Sequence, residues 1–375
     1  MRQPIITLVA VLGLLLSACA GPPSGGLDGI GEAGEASPLD EALTIVDARD
    51  RTVHFDGPPE RVLVSGKANL MIIEAVYLFE SAGERIPALP KAGQRNTQGK
   101  AFLSLLDPDF NNKPQFVWSA SGEQIASFRP DVVLLKSFMA DQVGRALEEL
   151  GIPVVYVDFE TPEQYRRDLR ILGKLLDEEA RVKSILEVYE SQRQRVAQRV
   201  EDLEEGERPR ALLLQYSDKG GEVAFHVPPT SWIQTTLVEE AGGRPVWKGA
   251  MQGSGWTVVN FEQIAAWNPD KIFVVNYFSG VDEVVVRLES DSQWQNLTAV
   301  QEGELYAFPK DYYSWDQPDP RWILGLTWLA KKMHPARFDD VQMEEELFTF
   351  FEEMYGLDKD LIEERILPQL EGDWE

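Results

Sequence analysis

Residues 123–131 read EQIASFRPD, and residues 262–270 repeat them as EQIAAWNPD. The two segments start 262 − 123 = 139 positions apart and agree at six of nine positions. Each predicts a short helix that a proline ends, followed by an aspartate that opens an apolar strand, VVLL in one case and KIFVV in the other. The repeat therefore indicates two related α/β lobes.

Strands and helices alternate on both sides of each repeat. A hairpin is predicted at 44–55, and helical segments near 319–333, 341–355 and 359–366 close the chain. Buried strands are predicted at 61–65, 131–135, 153–157, 210–216, 271–276 and 305–308, with helices between most of them. This alternation favours an α/β fold with mostly parallel sheets.

A long helical pattern, residues 161–203, separates the two lobes. Thr161, Pro162 and Gln164 predict its N-terminal cap. About forty residues would extend about 60 Å, so we expect a bend near Asp177. We interpret the segment as a long helix that connects an N-terminal lobe, 43–160, to a C-terminal lobe, 204–335, with further helices at 336–375.

The composition excludes several classes of function. There are 36 Lys and Arg against 62 Asp and Glu, a net charge of −26, so nucleic acid is not an expected partner. One cysteine and three histidines exclude a disulfide framework and a cysteine-based metal centre, and we expect no cofactor. The sequence contains no HExxH, GxSxG, SxxK or P-loop motif, so an enzyme is not expected, although one based on paired carboxylates stays open.

The N-terminus predicts export. Residues 1–19 read MRQPIITLVAVLGLLLSAC, with an apolar stretch too short to span a bilayer. The end of this segment resembles a bacterial lipobox, which implies a signal peptide at 1–18 and a lipid on Cys19. A flexible, glycine-rich tether would follow at 19–42. The protein would then be held by its lipid in the bilayer, at the outer face of the cell membrane or in the periplasm. The alternative is an ordinary secretory signal in which Cys19 has no role.

The order of features over residues 43–335 resembles the substrate-binding proteins of ABC importers for iron–siderophore complexes, haem and cobalamin. The resemblance rests on TIVDARDRTVHFDGPPERVLVS at 44–65, the two repeats, the long helix and DQPDPR at 316–321. It implies two lobes around a shallow cleft, as in class III periplasmic binding proteins, and no enzymatic activity. The implied partners are a small metal-containing ligand and an ABC permease with its cytoplasmic ATPase. Arg321, at a position typical of the family, would be structural.

The same resemblance implies the functional residues. In the family a surface glutamate on each lobe binds arginines of the permease, and the motif places these at Glu123 and Glu262. Tryptophans at the positions of Trp118 and Trp256 line the cleft of the cobalamin-binding member. Open α/β sheets bind ligands beyond the carboxyl ends of their strands. The remaining predicted ligand-facing residues are therefore Lys67, Arg95, Lys136, Ser137, Tyr216, Tyr277, Tyr313 and Trp315.

The sequence leaves the ligand open. Aromatic side chains favour a bulky ligand such as an iron siderophore, haem or a corrinoid. The cationic side chains of Lys67, Arg95 and Lys136 would suit an anionic chelate or a small oxyanion. The segment 334–356 is similar to a branch of the family described as iron or molybdate binders, so molybdate or tungstate is the alternative. A third hypothesis for the function is a sensor or adhesin that keeps the fold without a transporter.

Overall fold

The computed structural model describes residues 42–91, 97–218, 221–250, 253–277 and 280–375. The predicted signal peptide, Cys19, nearly all of the tether and Arg95 lie outside these residues. None of the helices in the described ranges has the length and apolar character needed to cross a membrane.

The N-terminal lobe contains the predicted hairpin and parallel strands. β3, β6 and β7 form one parallel sheet with β6 in the middle, β4 and β5 form a small second sheet, and β1 pairs antiparallel with β2. The strands are β1 (Leu43–Val46), β2 (Thr52–Phe55), β3 (Val62–Val64), β4 (Leu89–Lys91), β5 (Gln115–Val117), β6 (Val132–Lys136) and β7 (Val154–Val157). The helices are α1 (Asn69–Val76), α2 (Ala82–Arg85), α3 (Thr97–Leu106), α4 (Gly122–Ala126) and α5 (Arg145–Glu149).

Two helices follow β7, and the second of them leads into the C-terminal lobe. α6 (Pro162–Leu176) begins with the predicted cap, in which the Thr161 hydroxyl accepts from the amide of Gln164. It ends at Asp177, whose φ of 58° is left-handed. α7 (Glu179–Val200) then connects the two lobes. A long helix between the lobes is therefore present, but it is shorter than expected.

The expected bend at Asp177 is a reversal of direction, so α6 and α7 pack antiparallel. Arg166 of α6 pairs with Glu190 of α7, and the rings of Tyr165 and Tyr189 lie 5.8 Å apart. A β-carbon on Gly173 would overlap the side chain of Val182, so a glycine is needed where the helices touch. The apolar positions that suggested one continuous helix are thus two stripes that face each other.

The C-terminal lobe has a larger, mixed sheet in the order β11-β9-β8-β12-β13, and β10 pairs with the start of β8. β8, β12 and β13 are parallel neighbours, whereas β9 is antiparallel to β8 and β11. The strands are β8 (Arg210–Ser217), β9 (Ala224–Val227), β10 (Arg244–Pro245), β11 (Thr257–Val259), β12 (Lys271–Val275) and β13 (Leu305–Ala307). The helices are α8 (Ile233–Glu240), α9 (Phe261–Trp267), α10 (Val281–Ser290), α11 (Thr298–Gln301), α12 (Trp322–Met333), α13 (Met343–Tyr355) and α14 (Lys359–Leu361).

A fully buried guanidinium joins the two lobes. Arg321, just before α12, pairs through Nη1 with Glu74 of α1 and donates through Nε to Asp311 at 2.7 Å. Asp319 lies 3.8 Å from Nη1, and the Phe102 ring of α3 is 4.3 Å from the guanidinium carbon. The four charged side chains have no exposed surface. Because Glu74 and Phe102 belong to the N-terminal lobe, this ion cluster fastens the lobes together and gives Arg321 the structural role predicted for it.

Three carboxyl groups share this one cation, so the cluster would carry excess negative charge if all were ionised. Uncompensated charge in a protein interior costs several kcal/mol, and buried carboxyl groups retain protons instead. Burial raises the pKa of Glu74 to about 7, because its effect exceeds the opposing effect of Arg321. Burial also raises the pKa of Asp319 well above its usual range.

The raised pKa of Glu74 predicts a component of stability that is lost as the pH rises. Between its ordinary pKa of 4.5 and about 7, the folded protein keeps a proton that the unfolded chain has released. The free energy of unfolding of the wild type, minus that of Glu74→Gln, should therefore fall by about 3 kcal/mol across this window. Urea denaturation at several pH values measures it, with Glu80→Gln, at an exposed position, as the control. A difference that does not change with pH would contradict the prediction.

Candidate functional site

On the N-terminal lobe, two predicted ligand-facing residues contact each other. Lys67 is exposed in the loop after β3, and Trp118, 39% exposed, follows the end of β5. The Lys67 Nζ lies 5.4 Å from the centroid of the Trp118 ring, a cation–π geometry. The two side chains form one cationic and aromatic surface at the carboxyl ends of parallel strands, where this class of sheet binds ligands.

On the C-terminal lobe, predicted aromatic residues come together around an unexpected carboxylate. The half-buried Trp256 lies 6.1 Å from Tyr277 and 5.6 Å from Trp232, measured between ring centroids. The Tyr277 hydroxyl donates to Asp316 at 2.5 Å. Asp316 is fully buried. Neither Trp232 nor Asp316 is among the predicted ligand-facing residues, although Asp316 begins the segment 316–321 on which the family resemblance partly rests. These contacts are with side chains far away in the sequence.

The hydrogen-bond donors around Asp316 are neutral groups. Besides Tyr277, they are the Ser314 hydroxyl at 2.5 Å and the Gln234 amide at 3.3 Å. Burial raises the pKa of Asp316, an effect that the three hydrogen bonds oppose. The Gln234 side-chain oxygen is buried without a hydrogen-bond partner. This aromatic surface therefore carries a carboxyl group rather than a cation at its base.

Three other predicted ligand-facing residues are instead enclosed in the lobes. Lys136 has no exposed surface, and its ammonium pairs with Glu160 at 2.9 Å, so its charge is neutralised. Tyr216 is 1% exposed and accepts a hydrogen bond from Arg287 at 2.7 Å. Trp315 is fully buried and donates to Asp311 at 2.9 Å. Their side chains pack in the interior, which corrects the expectation from their positions after strands.

The remaining predicted residues lie between these extremes. Ser137 and Tyr313 are both half-buried. The Ser137 hydroxyl has no hydrogen-bond partner, and neither does that of Ser65, which is fully buried. Ser65 and Ser137 follow β3 and β6, which are adjacent parallel strands. No group of three or more His, Cys, Asp or Glu side chains in the described ranges is arranged to hold a metal ion.

The two predicted docking glutamates occupy equivalent positions in the two lobes. Glu123 is the second residue of α4 and Glu262 the second residue of α9, and both are exposed. A hydrogen bond from Ser121 lowers the pKa of Glu123. Each helix begins with a complete capping box, formed by Ser121 with Gln124 and by Asn260 with Gln263. The sequence repeat is therefore also a structural repeat.

An arginine at the start of a parallel strand caps the C-terminal end of each of these helices. Arg61, before β3, donates to the Phe128 carbonyl at 2.6 Å. Arg210, the first residue of β8, donates to the carbonyls of Trp267 and Asn268. These arginines are 210 − 61 = 149 positions apart, ten more than the spacing of the repeat, so aligning the two repeated segments does not pair them. Each glutamate thus sits on a helix tied to the sheet of its own lobe.

Comparison with known proteins gives a family and a fold. A family model described as periplasmic binding protein matches residues 106–312. The molybdate-binding protein MolA of Haemophilus influenzae is 24% identical over 281 residues, which cover 68% of this chain and 76% of MolA.

Solved structures share the fold along most of their length. A periplasmic solute binding protein from Veillonella parvula has a TM-score of 0.69 at 22% identity, covering 87% of this chain and 97% of that one. MolA bound to molybdate has a TM-score of 0.67 at 20% identity, covering 84% and 98%. CeuE of Helicobacter pylori in a Ni-His complex has a TM-score of 0.67 at 14% identity, covering 87% and 99%.

The burial of the predicted aromatic residues predicts which of them support the fold. Trp315→Phe removes a buried hydrogen bond to Asp311, a partner of Arg321, and should lower the free energy of unfolding by about 2 kcal/mol. Trp118→Phe, at an exposed position, should change it by less than about 0.5 kcal/mol. Urea denaturation of the two variants measures the contrast. Equal effects would show that Trp315 is not an internal support.

Proposed function

Because the chain belongs to the periplasmic binding protein family, we propose that it is the solute-binding component of an ABC importer. It captures a small metal-containing ligand outside the cytoplasm and delivers it to the permease and its ATPase, while a lipid on Cys19 keeps it at the membrane. The observation that carries the proposal is the pair of exposed glutamates, Glu123 and Glu262, held on matching capped helices. A carboxylate on each lobe is suited to bind both halves of a two-fold permease with basic residues.

The ligand that we propose is an iron chelate, such as a siderophore complex or haem, or a corrinoid. Support comes from the exposed or half-buried aromatic rings of Trp118, Trp256 and Tyr277, which would cover a bulky ligand from both lobes. The neutralised Lys136 and the carboxyl group of Asp316 leave Lys67 as the cationic contribution from the described predicted residues. One cation among aromatic rings suits a large ligand of low net charge better than a bare oxyanion.

Molybdate or tungstate is the second candidate, and two observations favour it. MolA is named as a molybdate-binding protein, and it is similar in sequence and fold. The hydroxyls of Ser65 and Ser137, both without hydrogen-bond partners, follow adjacent strands and would be two of the converging donors that an oxyanion needs.

Ligand titration separates these candidates. Native mass spectrometry of protein purified from its host should show a bound chelate, and tryptophan fluorescence should report its affinity against haem, cobalamin, ferric siderophores, molybdate and tungstate. Trp256→Ala should weaken chelate binding about tenfold, because it removes one aromatic wall. Ser65→Ala with Ser137→Ala is the matched test of the oxyanion candidate and should leave chelate binding unchanged. If none of these compounds binds at about micromolar concentration, both ligand proposals are wrong.

The docking role predicts a separation of uptake from ligand binding. Glu123→Arg with Glu262→Arg should abolish uptake, because like charges would face the basic residues of the permease, while ligand affinity stays unchanged. Uptake of radiolabelled ligand in cells or proteoliposomes measures the first, and titration measures the second. Glu179→Arg with Glu345→Arg, also at exposed helix starts, is the matched control and should retain uptake. Normal uptake by the first double variant would refute the docking assignment.

A further inference from the structure

A groove of about 530 Å³ lies beside Glu123 on the N-terminal lobe. One wall is formed by residues 118–123 and the other by residues of the segment 139–150. We call it the α4–α5 groove. Two of its apolar side chains are partly exposed: Leu150 at 48%, and Trp118 at 39%, whose ring also belongs to the proposed ligand-facing surface. The groove therefore offers apolar surface from both of its walls to a partner.

Two glycines shape this groove. A β-carbon on Gly122 would lie 2.7 Å from the end of the Leu150 side chain, so a larger residue there would displace Leu150 from its place against α4. A β-carbon on Gly144 would overlap the hydroxyl of Tyr156, and Gly144 ends one π-helical turn, Ala140–Gly144, that leads into α5. Such single π turns often occur at functional sites. The close approach of Gly144 to Tyr156 therefore determines how the segment leading into α5 packs, and this segment supplies one wall of the groove.

The charge of the groove indicates what it accepts. Its titratable lining residues are the carboxylates Glu123 and Glu149, and its floor includes Met139 and Val143. A complementary partner has a bulky apolar side chain for the floor and a cationic residue next to it for the rim.

The same place on the C-terminal lobe differs. Phe261 begins α9, where Gly122 begins α4, and its ring lies 5.9 Å from that of Trp294. A bulky side chain thus occupies the position that the N-terminal lobe keeps small. The two glutamates have equivalent helices but different neighbours.

We propose that the α4–α5 groove binds a short extracytoplasmic segment of the permease that carries a bulky apolar residue beside an arginine or lysine. This inference rests on the proposed function, because it takes the permease as the partner. The N-terminal lobe then holds the permease by an inserted side chain as well as by charge, whereas the C-terminal lobe holds it by charge. A symmetric permease is therefore gripped asymmetrically.

Filling the groove tests the proposal. Ala146 lines the groove and is exposed on α5, so Ala146→Trp occupies the space without disturbing the core. It should weaken binding to the permease–ATPase complex in nanodiscs about tenfold and leave ligand affinity unchanged. Ala180→Trp, exposed at the start of α7, is the matched control and should bind like the wild type. Glu149→Lys, a second exposed change, should weaken binding in the same direction.

The outcomes distinguish this proposal from the docking role. If Ala146→Trp and Glu149→Lys bind the permease like the wild type while Glu123→Arg with Glu262→Arg does not, the groove proposal is wrong and docking stands. If Ala146→Trp changes ligand affinity and not permease binding, the groove belongs to the ligand site and the proposal is again wrong. If the wild type does not bind the permease, the proposed function fails and this inference fails with it.

Discussion

A buried guanidinium must find its counter-charges inside the protein, and Arg321 finds them on both lobes. Among the described residues, Glu74 is the one residue of α1 that pairs with Arg321. Replacing Glu74 would therefore remove the ion pair between α1 and the loop before α12. Phe102 packs against the same guanidinium, and the centroid of its ring lies 5.7 Å from that of the Tyr312 ring. Apolar and ionic contacts therefore reinforce each other here. The position of the loop 309–321 depends on this cluster, and with it the position of Asp316 and the aromatic residues around it.

The helical hairpin of α6 and α7 restrains the lobes in a second way. Tyr189 of α7 stacks on Trp322 of α12 with ring centroids 5.0 Å apart, and Arg193 of α7 pairs with Glu240 of α8 at 2.6 Å. The same helix faces α6 along its other side through pairs such as Arg166 with Glu190. α7 is thus packed on both sides, which opposes large hinge motions between the lobes. Capture of a ligand with modest closure is consistent with such a joint.

The sequence predicts those parts of the fold that are encoded locally. The cap at Thr161, the two repeated helices and the strands that follow Asp131 and Asp270 depend on residues within about ten positions of each other, so pattern and capping rules find them. The reversal at Asp177 was expected only as a bend, because two facing apolar stripes look like one long stripe in a sequence.

The site is less predictable, because burial is decided by distant segments. Trp118 and Trp315 both follow strands, but only Trp315 is buried. Because Gly325 has no side chain, α12 packs directly against the backbone of Trp315 and covers it. Asp316 accepts a hydrogen bond from Gln234, which is 82 positions away in the sequence, so no local pattern predicts this contact. The arginine caps of α4 and α9 are unpredictable for the same reason, because each arginine lies more than 50 positions from the helix end that it caps.

The arginine caps of α4 and α9 link the surface glutamates to the positions of the two lobes. Arg61 and Arg210 tie each short helix to a parallel strand of its own lobe, β3 in one and β8 in the other, so each helix is held to its sheet. A rotation of one lobe against the other would therefore change the separation of the Glu123 and Glu262 carboxylates. The distance between these two carboxylates would then reflect, at the protein surface, how the two lobes are placed relative to each other.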